Sequence, residues 1–231
     1  MTKKIVEVTN LTVTFGNTVV LKDITFSVNE KDILAILGPN GAGKSTLFKA
    51  MLGLIPFQGT VHWHTKKIGY LPPQESLLRE NLPPLTVLDF FYLKNEPKEN
   101  ITQIFNAIGL DQSLFDQMLM SLSTGQFQRV MLAWVLIDNP SILLLDEPMS
   151  GIDVAGEETI YSLLHRIWKE RDLTILLITH DVSIVWKYAA QILCLNKKLM
   201  CHGSPEESLT PEILKKLYGT EVSLYEHHHS F

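Results

Sequence analysis

Ile33-Leu34-Ala35-Ile36-Leu37-Gly38-Pro39-Asn40-Gly41-Ala42-Gly43-Lys44-Ser45-Thr46 joins an aliphatic run to a glycine-rich turn that ends on a lysine and two hydroxyls. An unbroken aliphatic run of this length suits a strand buried on both faces, as in parallel sheets. The residues from Lys44 to Gly53 read as a helix, so the turn lies between a strand and a helix. Glycines at 38, 41 and 43 let the backbone aim its N–H groups at one point with no Cβ in the way. The helix N-terminus adds the positive end of its dipole, and anions bind there. The order G-x-x-x-x-G-K-[ST] is that of a phosphate-binding loop, which places Lys44 to reach the outer phosphates and Ser45 to offer its hydroxyl to magnesium.

Two more aliphatic runs of the same kind lie downstream, Ile142 to Leu145 and Thr174 to Ile178. Each is followed by polar residues and a helical pattern, the grammar of a doubly wound α/β sheet whose ligands bind at the carboxyl ends of the strands. Asp146 stands at such an end and is expected to hold Mg²⁺, through water. Strand residues alternate sides, so Glu147 is expected to face elsewhere and to be free as a general base for an attacking water. Thr179-His180-Asp181 closes the third run and puts His180 on the same rim, where it can donate to a γ-phosphate and orient Glu147. Taken singly, the two acids suit a solvated turn and the histidine a structural role. Their shared rim with the phosphate loop favours chemistry.

Upstream, Ile5, Val6, Val8, Leu11, Val13 and Phe15, then Val19 to Leu21, then Ile24, Phe26 and Val28 alternate with period two and predict an antiparallel sheet. Residues Leu77 to Asp138 contain no strand-like run; a turn at Pro83 and Pro84 leads to helices at Thr86–Leu93 and Ile101–Gly109. Leu122-Ser123-Thr124-Gly125-Gln126-Phe127-Gln128-Arg129-Val130 opens a long helix reaching about Asp138, whose first N–H groups with Ser123 and Gly125 form a second anion site. A plain capped helix explains the same residues. One chain with two phosphate-binding helix ends has one too many, unless the second completes a partner's site. A last helix spans Glu212 to Leu217, ahead of a polar tail. The organisation predicted is a single domain over 1–231: a nucleotide-binding core of residues 1–76 and 139–217, a helical lobe inserted at 77–138, and a histidine-containing tail at 218–231.

Composition bounds the function. With 45% hydrophobic and 19% charged residues in a 231-residue chain, and a mean hydropathy of +0.10, it is neither disordered nor a coiled coil. The apolar run around Met131 to Ile137 falls far short of the ~18 residues of a transmembrane helix, so a membrane role is expected to be peripheral. Twenty basic against twenty-five acidic side chains give a net charge of −5, which argues against nucleic acid as a partner. The N-terminal Met-Thr-Lys-Lys precedes no apolar signal core, so export is not expected. Cys194 and Cys201 read as reduced core thiols of a cytoplasmic protein.

The phosphate loop, Leu-Ser-Thr-Gly-Gln at 122–126, Leu-Leu-Leu-Asp-Glu-Pro at 143–148 and His180 follow one another in an order and spacing that resemble the nucleotide-binding subunit of ATP-binding cassette (ABC) transporters, over residues 5 to 217. The resemblance implies an ABC ATPase fold: an α/β core with a mainly parallel sheet, an N-terminal antiparallel β-subdomain and an inserted α-helical subdomain. It also implies a head-to-tail dimer with a second copy of the chain and two ATP molecules at the interface. Each ATP is held by Gly38, Pro39, Asn40, Gly41, Ala42, Gly43, Lys44, Ser45 and Thr46 of one copy and by Ser123, Gly125 and Gln126 of the other. Phe15 looks like the aromatic residue that stacks on adenine, with Val20 beside it; alternate positions on a half-buried strand explain Val20 equally well. Gln74, after Gly69-Tyr70-Leu71-Pro72-Pro73, looks like the glutamine that joins Ser45 and Asp146 at Mg²⁺ and touches the attacking water. Ser150-Gly151-Ile152-Asp153 looks like the loop that crosses the dimer interface.

Two residues depart from the family pattern: Thr124 replaces the first glycine of the signature, and Trp134 stands where an arginine is common. Gln126-Phe127-Gln128-Arg129-Val130, the Leu195-Asn196 and Cys201-His202-Gly203 segment, and the tail Tyr225-Glu226-His227-His228-His229 are similar to subunits of zinc and manganese uptake systems. That likeness implies permease subunits in the membrane, an extracytoplasmic metal-binding protein, and a place on the cytoplasmic face of the membrane. The tail reads equally as a metal-binding segment, as a solvated end, or as a tag remnant. His62 and His64 read as surface residues. The rival to transport is a soluble ABC ATPase of iron–sulfur cluster assembly or of nucleic-acid or ribosome work. The span from Lys44 to Ser123 lacks a long heptad insertion and the chain carries one cassette, both against the nucleic-acid and ribosomal versions.

Overall fold

The computed structural model describes residues 3–77, 84–148 and 154–219, with backbone alone at 75 and 154–160. Strands β1 (Lys4–Phe15) and β2 (Thr18–Asn29) pair antiparallel from Lys4↔Asn29 to Phe15↔Thr18, and β4 (Gln58–Trp63) takes the other edge of β1. The two short runs read at Val19–Leu21 and Ile24–Val28 form one strand. Asp23, at φ 52°, bulges between them and shifts the register, which is why the alternation breaks there.

The second sheet has the order β5-β6-β7-β3-β8-β9. β3 (Ile33–Leu37), β6 (Ile142–Asp146) and β7 (Thr174–Ile178) are the three strands expected, each buried along its whole length. Two more parallel strands, β5 (Ile68–Leu71) and β8 (Gln191–Asn196), flank them, and β9 (Lys198–Gly203) runs antiparallel to β8.

Alternation within these strands divides the core. Leu34, Ile36, Leu144, Leu176 and Ile178 point towards the antiparallel sheet and α1 (Lys44–Met51). Leu143, Leu145, Ile175 and Leu177 point the other way, into the cluster that also holds the helical lobe. That lobe comprises α2 (Val87–Tyr92), α3 (Lys98–Ala107) and α4 (Thr124–Leu136), close to the spans expected. α3 starts earlier than its apolar pattern, directly after Pro97, and the chain leaves α4 through Asn139, at φ 49°, and Pro140. Phe91 and Phe105 meet edge-on at 5.5 Å, and Trp134 stacks on Phe90 at 3.9 Å. The remaining helices are α5 (Val154–Arg171), α6 (Val182–Tyr188), α7 (Pro205–Ser208) and α8 (Pro211–Tyr218). Among the described residues no helix is long and apolar enough to cross a membrane.

The cysteines correct the reading from sequence. Cys194 and Cys201 form a disulfide instead of standing as reduced thiols. They lie opposite one another on β8 and β9, Cα atoms 4.8 Å apart. Pairing depends on Cα separation, and the hairpin that closes this one was not evident from residue spacing.

Candidate active site

The phosphate loop leaves β3 at Leu37 and enters α1 at Lys44. Two of its glycines, Gly38 and Gly43, are required by close packing. A Cβ on Gly38 would collide with the carbonyl oxygen of Leu195, and one on Gly43, at φ 96°, would come within 2.6 Å of Leu21. The β8–β9 turn therefore backs the loop, and Lys197 N–H donates to the Ala42 carbonyl at 3.0 Å. Asn40 and Gly41 are exposed at the tip, while Thr46 is half-buried. The Lys44 side chain is only 6% exposed. Its ammonium donates to the Gly38 carbonyl at 2.9 Å and the Pro39 carbonyl at 3.2 Å, and lies 3.6 Å from Glu147 Oε1.

β6 delivers Asp146 to the same place. The residue is fully buried, and Ser45 Oγ donates to its Oδ1 at 3.0 Å. Burial raises the carboxyl above the ordinary carboxylate range and the charge of Glu147 adds to the rise, while the Ser45 hydrogen bond and Lys44 oppose it. Tyr70 on β5, which the sequence reading left without a role, brings its hydroxyl to 3.5 Å from Asp146 Oδ2. Burial pushes that phenol well up, and the Asp146 charge pushes it further. The signal for Tyr70 was the parallel pairing of β5 with β6, unrecognised because β5 is only four residues long.

Glu147 corrects the local expectation. It does not continue the pleat to the far side; it adopts φ 47°, in the left-handed region where a non-glycine residue is strained. That turn brings its carboxylate to Lys44, with 30% of the side chain exposed. Such strain is characteristic of functional sites.

The other expected residues stand on further elements, and Ser123, Gly125 and Gln126 line a hollow with Gly109 and Asp111 that includes no phosphate-loop residue. His180 follows β7 on the same edge of the sheet, exposed, with no hydrogen bond among the described residues. Phe15 ends β1, 50% exposed. Half-buried Val20 presents its carbonyl 3.3 Å from where a Gly43 Cβ would stand, so β2 runs alongside the loop. Gln74 opens a 3-10 turn after β5, and its Oε1 accepts from Gln128 Nε2 at 2.9 Å. Ser123 caps α4 in a reciprocal capping box: its hydroxyl accepts from Gln126 N–H at 3.2 Å, and Gln126 Oε1 accepts from Ser123 N–H at 2.9 Å. Gly125, in the first turn, has open space where a Cβ would be. Thr124 is the first residue of α4 and is not among the positive-φ positions, so its backbone is at ease. Lys94 lies 4.5 Å from the Trp134 ring centre and donates to the Trp134 carbonyl at 2.7 Å. The 150–153 loop and the histidine tail lie outside the described residues. Among those described, no three His, Cys, Asp or Glu gather to hold a metal, and exposed His64 hydrogen-bonds Glu7 at 3.1 Å.

A parallel sheet that brings a phosphate-loop lysine and serine against a strand-terminal aspartate and a strained glutamate defines an ATPase of the phosphate-loop class. Residues 21–150 match the family described as ABC transporter, and the chain belongs to that family as an ATP-binding subunit. It is 40% identical to a probable metal transport system ATP-binding protein of Thermotoga maritima, over 93% of this chain and 90% of the relative. It is 36% identical to the zinc import ATP-binding protein ZnuC of Rickettsia conorii, over 99% and 98% of the two chains. Among solved structures it is similar to CbiO1 of Clostridium perfringens, part of the ABC transporter complex CbiONQ. That match has a TM-score of 0.77, with 28% identity over 89% of this chain and 90% of the other.

Proposed function

We propose that the chain hydrolyses ATP at the cytoplasmic face of a membrane, as a peripheral subunit bound to integral permease subunits, to drive uptake of zinc or manganese delivered by an extracytoplasmic metal-binding protein. The observation that carries the chemistry is the convergence of Lys44, Ser45, Asp146 and Glu147 at the carboxyl edge of one sheet. The metal is supported by the printed names of the relatives, which are metal and zinc transport proteins.

The residues present suit magnesium. Asp146 and Ser45 already meet through oxygen atoms, and Gln74 adds an amide oxygen, a hard all-oxygen set of the kind Mg²⁺ takes. Bound there, Mg²⁺ would neutralise charge on the β- and γ-phosphate oxygens. Residues 38–46, all but Pro39, offer backbone N–H groups to the phosphates, and Lys44 exchanges its carbonyl partners for phosphate oxygens. Phe15 offers its exposed ring to adenine, with Val20 beside it. Glu147 takes the proton from the attacking water, and His180 meets the γ-phosphate from the end of β7.

The signature acts in trans, on the ATP of a second copy. Glycine in a helix is about 1 kcal/mol less favourable than alanine, and among the described residues nothing fills the space at Gly125. The glycine is therefore explained by close approach of something outside the protomer. Gly125→Ala is expected to leave the melting temperature of the isolated chain unchanged or slightly raised, and to lower ATP-driven dimerisation and hydrolysis at least about tenfold, which one lost close contact of ~1.4 kcal/mol would cause. Light scattering with ATP and a phosphate-release assay read both. Wild-type turnover in that variant would remove Gly125 from the interface. The cargo is tested by zinc and manganese uptake in cells carrying wild-type or Glu147→Gln chain. Equal uptake of both metals in the two strains overturns metal transport.

A further inference from the structure

Gln128 sits in the second turn of α4, 6% exposed, beside Leu71 at the end of β5, Leu145 on β6 and Pro148 just after Glu147. These neighbours are apolar. A leucine or methionine would fill the position with no amide to satisfy, and burying an amide is unfavourable unless it is hydrogen-bonded. The Gln128 amide instead spans two elements distant in sequence: Nε2 donates to Gln74 Oε1 at 2.9 Å. At one end of α4 stands the capping box of Ser123 and Gln126, facing outward; one turn further, the same helix grips Gln74. A carbonyl oxygen has two lone pairs, so Gln74 Oε1 can keep this bond while presenting its other side to a cation.

We propose that Gln128 is a positioning residue that holds Gln74 in register with the signature helix, so that engagement of Ser123 and Gly125 by the partner copy's nucleotide is transmitted to the magnesium-side glutamine of the chain's own site. The inference rests on the reading of Gln74 and of the signature given above. α4 is a rigid element of 13 residues, and a shift or rotation of its N-terminus moves Gln128 with it. Gln74 lies at the start of the connection into the helical lobe, as the first residue of a short 3-10 turn. The hydrogen bond therefore converts a displacement at the dimer face into a displacement at the Gln74 oxygen, with no change in the residues that hold the phosphates.

The test is ATP hydrolysis by the full chain with its permease, measured for wild type, Gln128→Met, Gln74→Ala and the double variant, with melting temperatures alongside. Methionine keeps the length and the packing and removes the donor. Gln128→Met is expected to lower kcat about 3- to 10-fold, the fold-change of one neutral hydrogen bond, to raise the Mg²⁺ concentration for half-maximal rate, and to leave KM for ATP unchanged. In the Gln74→Ala background the same substitution is expected to add nothing, because its route of action is gone. Gln128→Asn, whose amide stops one carbon short of Gln74, gives the same comparison should the methionine variant not fold. The inference is overturned if Gln128→Met matches wild-type kcat and Mg²⁺ dependence, or if it lowers kcat by the same factor with and without Gln74. A wild-type chain that hydrolyses no ATP overturns the ATPase reading itself, and this inference with it.

Discussion

Glu147→Gln is expected to bind ATP, to accumulate as an ATP-bound dimer, and to lose roughly 10²–10⁴ of its turnover, the usual contribution of a positioned general base. Glutamine has nearly the shape of glutamate, so the left-handed turn at φ 47° and the approach to Lys44 at 3.6 Å are both kept in form. What is lost is the capacity to accept a proton. Lys44 also loses a negative neighbour and retains its carbonyl partners in the loop, so nucleotide affinity is expected to hold or to rise. Single-turnover phosphate release separates the two effects, because binding is read before chemistry. Size-exclusion chromatography with ATP reads the trapped dimer. A variant that turns over at the wild-type rate would take the role of base away from Glu147 and leave its backbone strain without a chemical reason.

The strained glutamate also shows where sequence reading stops. The phosphate loop and the strand carrying Asp146 were legible because each is encoded by adjacent residues: an aliphatic run fixes the strand, and glycines with a lysine fix the loop. The strand alternation expected to turn Glu147 away from Asp146 does not apply, because the strand ends one residue earlier, at Asp146, and the turn that follows obeys tertiary packing and not the pleat. β5 escaped notice because it is four residues long and contains Gly69, whose missing side chain is filled by Val135 and Leu143 from other elements. The same distance in sequence hid Tyr70 beside Asp146, and Gln74 beside Gln128. The disulfide was missed because it depends on a β8–β9 register that no local pattern announced. Residues that meet within one turn of the chain could be placed from local sequence. Those that act across the sheet needed the fold.

Asp146→Asn is expected to abolish hydrolysis and, in the same protein, to raise the melting temperature measured without nucleotide. The carboxyl is fully buried, and burial raises its pKa above the ordinary carboxylate value, with Glu147 adding to the rise and Ser45 and Lys44 opposing it. A carboxyl whose folded pKa exceeds its unfolded one binds a proton more tightly in the native state, so its contribution to stability is fully present below the unfolded pKa and is lost as pH rises through the folded pKa. As pH rises through the folded pKa, the native protein therefore takes on the cost of holding this carboxylate away from water. Asparagine keeps an oxygen to accept from Ser45 Oγ and removes the charge. Each kcal/mol so recovered is worth about 2–4 °C in melting temperature for a chain of this size. Between pH 6 and 8 the variant is expected to melt above wild type. With ATP and magnesium the order should invert, since a ligand stabilises the native state by RT ln(1 + [L]/Kd), about 2.7 kcal/mol at one hundred times Kd, and the variant lacks the carboxylate proposed to hold magnesium. Calorimetry with and without MgATP reads both orders. A variant that melts below wild type without nucleotide would mean that Ser45 and Lys44 more than offset the desolvation of Asp146, making the site a contributor to stability. The crossing of the two orders is the signature of a residue placed against the interest of the empty fold, and held there for the ligand it meets.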